Sequence, residues 1–415
     1  MTDTTTTLRP FNPAPVLLLT GTVYLNFLGR LVFSPLLVEI GADLGVGHAV
    51  TGSLFLIMAV GYSVTMLLSG FVARAIDHRA TIQVASLVAG LALLLTAVSP
   101  SLRLIQVGVF FLGAGAGLYA PSGIAALTEM VSSRDWGKAI AFHDLGPNLA
   151  FVSAPFLTNL LLPVTSWRGV IAILGAAVLV MLVVFSLTSR AGRFRGEPPR
   201  FSTVTELLRQ RRFWAVATFF VLAASAALGV FSILPTYLTS ERNFDQSTVN
   251  TVVGLSRISG IVMVFVSGVL RDRLGERVLI GTVVGLGGVL TLLFGVLRGG
   301  PLVAVVFLQP AVIAAFFPAA LSALSRIGTA TSRNLVVSLM IPAVNTVGAG
   351  IFPAGMGVLG DLGLFYLGFI VLGALMIGSL FLVPLLDPKT THQDTADREA
   401  EGREAHAREA RAAPE

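Results

Sequence analysis

Cysteine is absent from all 415 residues, which excludes disulfides, thiol nucleophiles and cysteine-ligated metals at once. Charge is scarce as well: Asp, Glu, Lys and Arg make up 12% of the chain. A soluble globular domain carries roughly 25%. The five histidines stand at 48, 78, 143, 392 and 406, too scattered to hold a metal. No clustered Ser/His/Asp set appears, so an enzyme is not expected and no cofactor is implied. The first ten residues lack the charged region and the small-residue cleavage site of a signal peptide, so the first apolar run is expected to be permanent. A receptor would present a large soluble output domain, and only a short polar tail follows Pro388.

What fills the chain is hydrocarbon. Apolar residues make up 54% of it and the mean hydropathy is +0.85. Crossing a bilayer takes about 20 mostly apolar residues. Twelve such runs can be read, at 15–40, 49–73, 80–99, 102–128, 138–162, 168–189, 213–239, 248–270, 277–297, 301–325, 334–358 and 362–386. They must be helices, because lipid offers no partner for an unpaired backbone group. The predicted fold class is therefore an all-α membrane protein with twelve transmembrane helices. A short N-terminus (1–14) precedes a first six-helix bundle (15–189). A basic linker (190–212) joins it to a second bundle (213–386), and a polar, disordered tail (387–415) follows.

The net charge of +6 might suggest nucleic acid, but the arginines sit at the ends of the runs. With the N-terminus inside, the inner connections hold sixteen Arg and Lys residues and the outer ones only Arg103, Arg168, Arg242 and Arg298. This asymmetry predicts a multi-pass protein of the cell inner membrane with both termini cytoplasmic. Its expected partners are the lipid bilayer and a small molecule.

The densest charge lies in Gly268-Val-Leu-Arg-Asp-Arg-Leu-Gly-Glu-Arg277, a turn between two apolar runs, and Gly70-Phe-Val-Ala-Arg-Ala-Ile-Asp-His-Arg79 precedes it by 198 positions. Two six-span halves, a basic central loop and this repeated turn resemble the major facilitator superfamily over residues 15–386. The family's loop motif, Gly-x-x-x-Asp-Arg/Lys-x-Gly-x-Arg/Lys, is met at Gly268, Asp272, Arg273, Gly275 and Arg277. Gly268 suits a close helix approach, Asp272 an ion pair facing a helix N-terminus, and Gly275 a tight turn. The first copy keeps Gly70 and Arg79 but has Arg74, Ala75 and Asp77 elsewhere, so a latch there would have to run through Asp77 with its charges exchanged. The resemblance implies two pseudo-symmetric bundles, secondary transport, and a conformational latch at these residues.

Further segments are similar to organic-anion symporters of that superfamily: Asn26-Phe-Leu-Gly-Arg30, Pro35, Ile40-Gly-Ala-Asp-Leu44, Gly61-Tyr62 and Leu234-Pro-Thr-Tyr-Leu238. In those proteins an arginine at the Arg30 position contacts an anionic substrate. Ala116 stands where they carry an acid, and Val109 near their second arginine, so any proton coupling must use other residues.

Ionisable groups inside a span are costly and mark function by default. Arg30 lies mid-span, and Arg257 lies in the outer half of the eighth span, so the two could close on one anion from opposite halves. The bland alternative is a structural ion pair, or an Arg257 that reaches for the outer headgroups. His143-Asp144 in the fifth span forms a natural proton carrier, or Asp144 merely neutralises one of the arginines. Asn26, Tyr62, Tyr119, Asn148, Gln309 and Asn345 are candidate lining groups, any one of which can equally be an interhelical hydrogen bond. Gly113-Ala-Gly-Ala-Gly117 has no preceding strand and no Lys-Ser/Thr, so it reads as helix packing rather than a nucleotide loop.

The sequence thus predicts a monomeric alternating-access transporter moving a small organic anion, a carboxylate, with protons. A multidrug or lipid-like exporter on the same fold is the alternative. The absence of cysteine makes the topology easy to check. A single Thr395→Cys is expected to react with an impermeant maleimide only in inverted vesicles, and Gly300→Cys only from outside; the reverse pattern would refute the assigned orientation.

Overall fold

A computed structural model describes residues 13–189, 191–196, 209–325 and 340–386, nearly all of them helical. The predicted runs reappear as twelve helices. The first six are α1 (Pro13–Leu44), α2 (His48–Ile76), α3 (His78–Val98), α4 (Leu102–Met130), α5 (Trp136–Leu161) and α6 (Trp167–Thr188). The second six are α7 (Arg211–Ser240), α8 (Gln246–Leu274), α9 (Glu276–Val296), α10 (Gly299–Leu324), α11 (Met340–Asp361) and α12 (Phe365–Leu386). Eleven are long and apolar enough to cross a membrane. The twelfth is α5, made more polar by Lys138, His143, Asp144, Asn148 and Asn159. Arg190, Arg200, Arg326, Arg333, the start of the eleventh predicted run and both chain ends lie outside the described residues.

Prolines shape several helices. Pro35 has no N–H for the carbonyl of Leu31, and α1 is interrupted at Val32, two residues beyond Arg30. Pro318 leaves the carbonyl of Ala314 in the same position, and α10 breaks at Ala315. Wide π-turns at Ser225–Gly229 in α7 and Thr346–Ile351 in α11 pack on one another, with a Cβ on Gly229 falling 2.4 Å from the carbonyl of Gly348.

The two turns are local repeats in backbone as well as sequence. Asp77 has φ 75° and ψ 166°, and Gly275 has φ 79° and ψ 156°. Asp77 N–H donates to Ala73 and Gly275 N–H donates to Arg271, again 198 positions apart. Asp77 holds a positive φ with an extended ψ, a region that side chains rarely adopt, and its carboxylate accepts from Ala80 N–H at 2.7 Å as the cap of α3. That corrects the expected charge-exchanged latch: the Asp77 carboxylate is used within its own turn. Residues 191–196 lie across the same turn. The N–H groups of His78 and Arg79 donate to the carbonyls of Phe194 and Gly192, and the Arg79 guanidinium donates to the carbonyl of Ser186 at 2.7 Å.

The second turn also departs from expectation. A Cβ on Gly268 would meet nothing within 4 Å, so among the described residues no helix approaches closely there. Asp272 is 69% exposed and pairs with its neighbour Arg271 at 2.9 Å, while Arg273 and Arg277 are exposed. These turns mark one end of the bundle, called here the turn end.

Contacts between the halves gather toward the opposite end, the far end. There α1 packs on α7, α2 on α11 and α5 on α8. Within the first half, α4 is seated on α2 and α3 through glycine: a Cβ on Gly113 would stand 1.9 Å from the carbonyl of Met58, and one on Gly117 2.1 Å from that of Tyr62. The glycine run is helix packing. Overpacking of a close interface costs about 1–3 kcal/mol. Gly113→Ala is expected at the upper end, because the obstruction is backbone, and should clearly lower the apparent Tm of purified protein; an unchanged Tm would refute this packing.

Candidate functional site

Arg30 and Arg257 face their surroundings without an acid. The Nε of each is buried and has no hydrogen-bond partner, and neither guanidinium forms an ion pair among the described residues. Each lies instead over aromatic faces. Arg30 sits 4.4 Å from the Phe27 ring and 5.2 Å from the Tyr62 ring. Arg257 sits 4.6 Å from Phe231 and 5.4 Å from Phe151, and those two rings meet edge-on at 4.8 Å. Arg257 therefore points into the bundle between α5 and α7 and does not reach for the headgroups.

The two arginines, one from each half, are linked through a contact between the halves. Ser34, one turn beyond Arg30, donates to the carbonyl of Phe231 at 2.7 Å, the carbonyl that Pro235 leaves without its helical partner. Phe231 in turn carries Arg257. One hydrogen bond thus links the helix of the first arginine to the ring beneath the second.

Magnitudes make the pair unusual. An arginine at the centre of a spanning helix costs about 2.5–3.5 kcal/mol on insertion scales. A cation–π contact returns about 0.5–2 kcal/mol. Two such centres, neither with a counter-charge, leave a positive locus that an anion would relieve.

Asp144 does not supply that counter-charge. Its carboxylate is 61% exposed and lies 3.6 Å from His143 Nδ1. Thr20 Oγ1 donates to the carbonyl of Phe142, which sets Asp144 about level with Thr20 on the parallel α1. Arg30 is ten residues further, roughly 15 Å at 1.5 Å per residue. The reading of Asp144 as a neutraliser of either arginine fails on distance.

The remaining candidates divide. Asn26 is buried one turn before Arg30, and Tyr62 holds Arg30 over its ring. Tyr119 is buried and structural, with its hydroxyl between the carbonyl of Leu19 and His143 Nε2, each at 3.1 Å. Asn148 donates to the carbonyl of Asp144 on its own helix. Gln309 is 1% exposed and donates to the carbonyl of Ala226 at 2.9 Å, inside the α7 π-turn. Asn345 is half-buried at the start of the α11 π-turn.

Sequence reasoning missed the far-end closure. Asn159 of α5 donates to the carbonyl of Ser247 at 2.9 Å and accepts from Asn250 at 2.8 Å. Gln246 donates to the carbonyl of Pro35 at 3.1 Å. Asp361, ending α11, accepts from the N–H groups of His48 and Ala49 at 2.6 and 3.0 Å, so one half caps a helix of the other. The run Gln246-Ser-Thr-Val-Asn250, polar where a span begins, was the available signal.

Residues 19–308 match the sequence profile of the Major Facilitator Superfamily. The chain belongs to that superfamily. The chain is 25% identical over 278 residues to the probable sulfoacetate transporter SauU of Cupriavidus necator, an alignment spanning 61% of this chain and 63% of the relative. Solved structures share the fold. A bacterial homologue of the human lysosomal transporter Spinster, inward-facing and occupied, superposes with a TM-score of 0.73 at 15% identity, covering 91% of this chain and 96% of that one. A D-xylose–proton symporter superposes with a TM-score of 0.73 at 13% identity, covering 91% and 98%.

The Asp361 cap carries its own expectation. Loss of a helix cap costs about 0.5–2 kcal/mol, or about 2- to 30-fold in a two-state balance. Asp361→Ala should enrich conformers opened at the far end, read as longer distances between spin labels at Val46→Cys and Leu364→Cys. An unchanged distance distribution would show that the cap does not hold this end closed.

Proposed function

We propose that this transporter moves a small organic anion, a carboxylate or sulfonate, together with protons, and that Arg30 and Arg257 bind the anion from the two halves. The observation that carries this reading is the pair of guanidinium groups, one from each half, each over aromatic rings with a buried unpaired Nε and no acid paired to it among the described residues. An exporter of cationic or neutral drugs would place an embedded acid there. The relative named for sulfoacetate, a molecule with a sulfonate and a carboxylate, supports an anionic cargo. Guanidinium forks suit both groups.

The turn end is assigned to the cytoplasm of a cell inner membrane by the surplus of Arg and Lys there. Under that assignment an inward-open state is supported by the ties at the far end through Asn159, Asn250, Gln246 and Asp361 and by the pairing of Asp272 with its own neighbour. Binding of the anion removes the repulsion between two facing arginines and lets the halves close over it. Rocking toward the outward state requires the far-end network to break and the turn latch at Asp272 and Arg273 to engage. His143 and Asp144, nearer the turn end, carry the coupling proton.

The reading is tested with purified protein and a panel of acetate, succinate, sulfoacetate and phosphoglycolate. A bound anion raises the apparent Tm. Removing one partner of a buried charged contact costs about 2–5 kcal/mol, about 30-fold or more in affinity. Arg30→Ala and Arg257→Ala should each weaken the stabilising anion by that factor without loss of helical signal. Full affinity in either variant would remove that arginine from the site.

A further inference from the structure

The hydrogen bonds around His143 can be assigned one proton at a time. The Tyr119 hydroxyl has a single proton and two neighbours at 3.1 Å, the carbonyl of Leu19 and His143 Nε2. A carbonyl only accepts, so the hydroxyl proton goes to Leu19 and Nε2 must donate to the Tyr119 oxygen. The neutral ring then carries its proton on Nε2 and has a bare Nδ1. That Nδ1 is buried without a hydrogen-bond partner, and the Asp144 carboxylate lies 3.6 Å away. Two acceptors thus face one another with no proton between them.

We infer that His143 Nδ1 is the binding site of the coupling proton, with Asp144 as its counter-ion and Tyr119 as the positioning residue that keeps Nδ1 vacant. The inference rests on the transport reading above. A proton arriving from water passes the exposed carboxylate, binds Nδ1, and turns two facing acceptors into an imidazolium–carboxylate pair. Nothing else changes covalently, and the same proton leaves from Nδ1. Imidazole is suited to the task because its ordinary protonation range spans physiological pH.

Among the described residues no other acid or base is in contact with the pair. On α5, Lys138 is paired with Asp135. On α1, the ionisable side chains between Pro13 and Arg30 are limited to Tyr24, which bonds Ser153. On α4, Glu129 accepts from Gly192 N–H at the turn end. On α8, Arg257 lies over Phe151, eight residues along α5 from His143, or about 12 Å.

The test combines transport and spectroscopy. In proteoliposomes, wild type is expected to show counterflow of the best anion from the panel above, and to accumulate it when the outside is acid. His143→Gln and Tyr119→Phe should keep counterflow within about threefold but lose acid-driven accumulation at least tenfold. In Tyr119→Phe the ring is free to place its proton on Nδ1 toward Asp144, so it no longer waits for one. Undiminished accumulation in His143→Gln, or a wild type that counterflows yet ignores the pH gradient, would overturn the proton site. Absence of wild-type counterflow with every anion would instead sink the transport reading. Independently of cargo, ¹⁵N spectra of histidine-labelled protein, with His143 assigned by its loss in His143→Gln, should show the Nε2–H tautomer at high pH and a doubly protonated ring at low pH. An Nδ1–H tautomer in wild type would overturn the assignment even if Tyr119→Phe fails to fold.

Discussion

A guanidinium inside a helical bundle must find a counter-charge, and Arg30 and Arg257 have only aromatic rings. Much of the molecule can be understood as holding those two charges in place while keeping their neighbours apolar. The break at Val32 lies two residues after Arg30, and the carbonyl released by Pro235 takes the hydroxyl of Ser34. At two of these irregularities the freed carbonyl takes a side-chain partner, Phe231 from Ser34 and Ala226 from Gln309. A membrane protein has little choice here, since an unpaired carbonyl in hydrocarbon costs several kcal/mol.

The two halves share geometry but divide the work. The turns at Asp77 and Gly275 have the same backbone and the same hydrogen bonds. Their side chains differ in use. Asp77 caps α3 and residues 191–196 pack over that turn, so the first copy is committed to its own half. The second copy is exposed, and its acid is satisfied by a neighbour it can exchange for another partner. A repeat can keep its backbone while its side chains diverge in use: glycine adopts this positive φ with extended ψ freely, and Asp77 is held in it by its cap and by residues 191–196.

Closure at the far end relies on amides and a helix cap rather than on salt bridges. Asn159, Asn250 and Gln246 exchange neutral hydrogen bonds, and Asp361 supplies a charge-assisted one. Neutral pairs of this kind contribute about 0.5–1.5 kcal/mol each. A few of them balance the cost of reopening without locking the transporter in one state.

The sequence by itself determined twelve spans, their division into two sixes and the repeated turn. It could do so because each spanning helix must satisfy its own backbone within one continuous apolar run, so length and composition carry the information. The positions of Arg30 and Arg257 were legible for the same reason: a charge within such a run stands out. The tertiary structure alone decided which polar groups meet. Tyr119 reaches His143 and Leu19, Gln309 reaches Ala226, and Asp361 reaches His48 over separations of 24 to 313 residues. Those meetings depend on the rotation of each helix about its axis and on its axial register. Both are set by glycine contacts and proline breaks between helices, which a single apolar run does not encode.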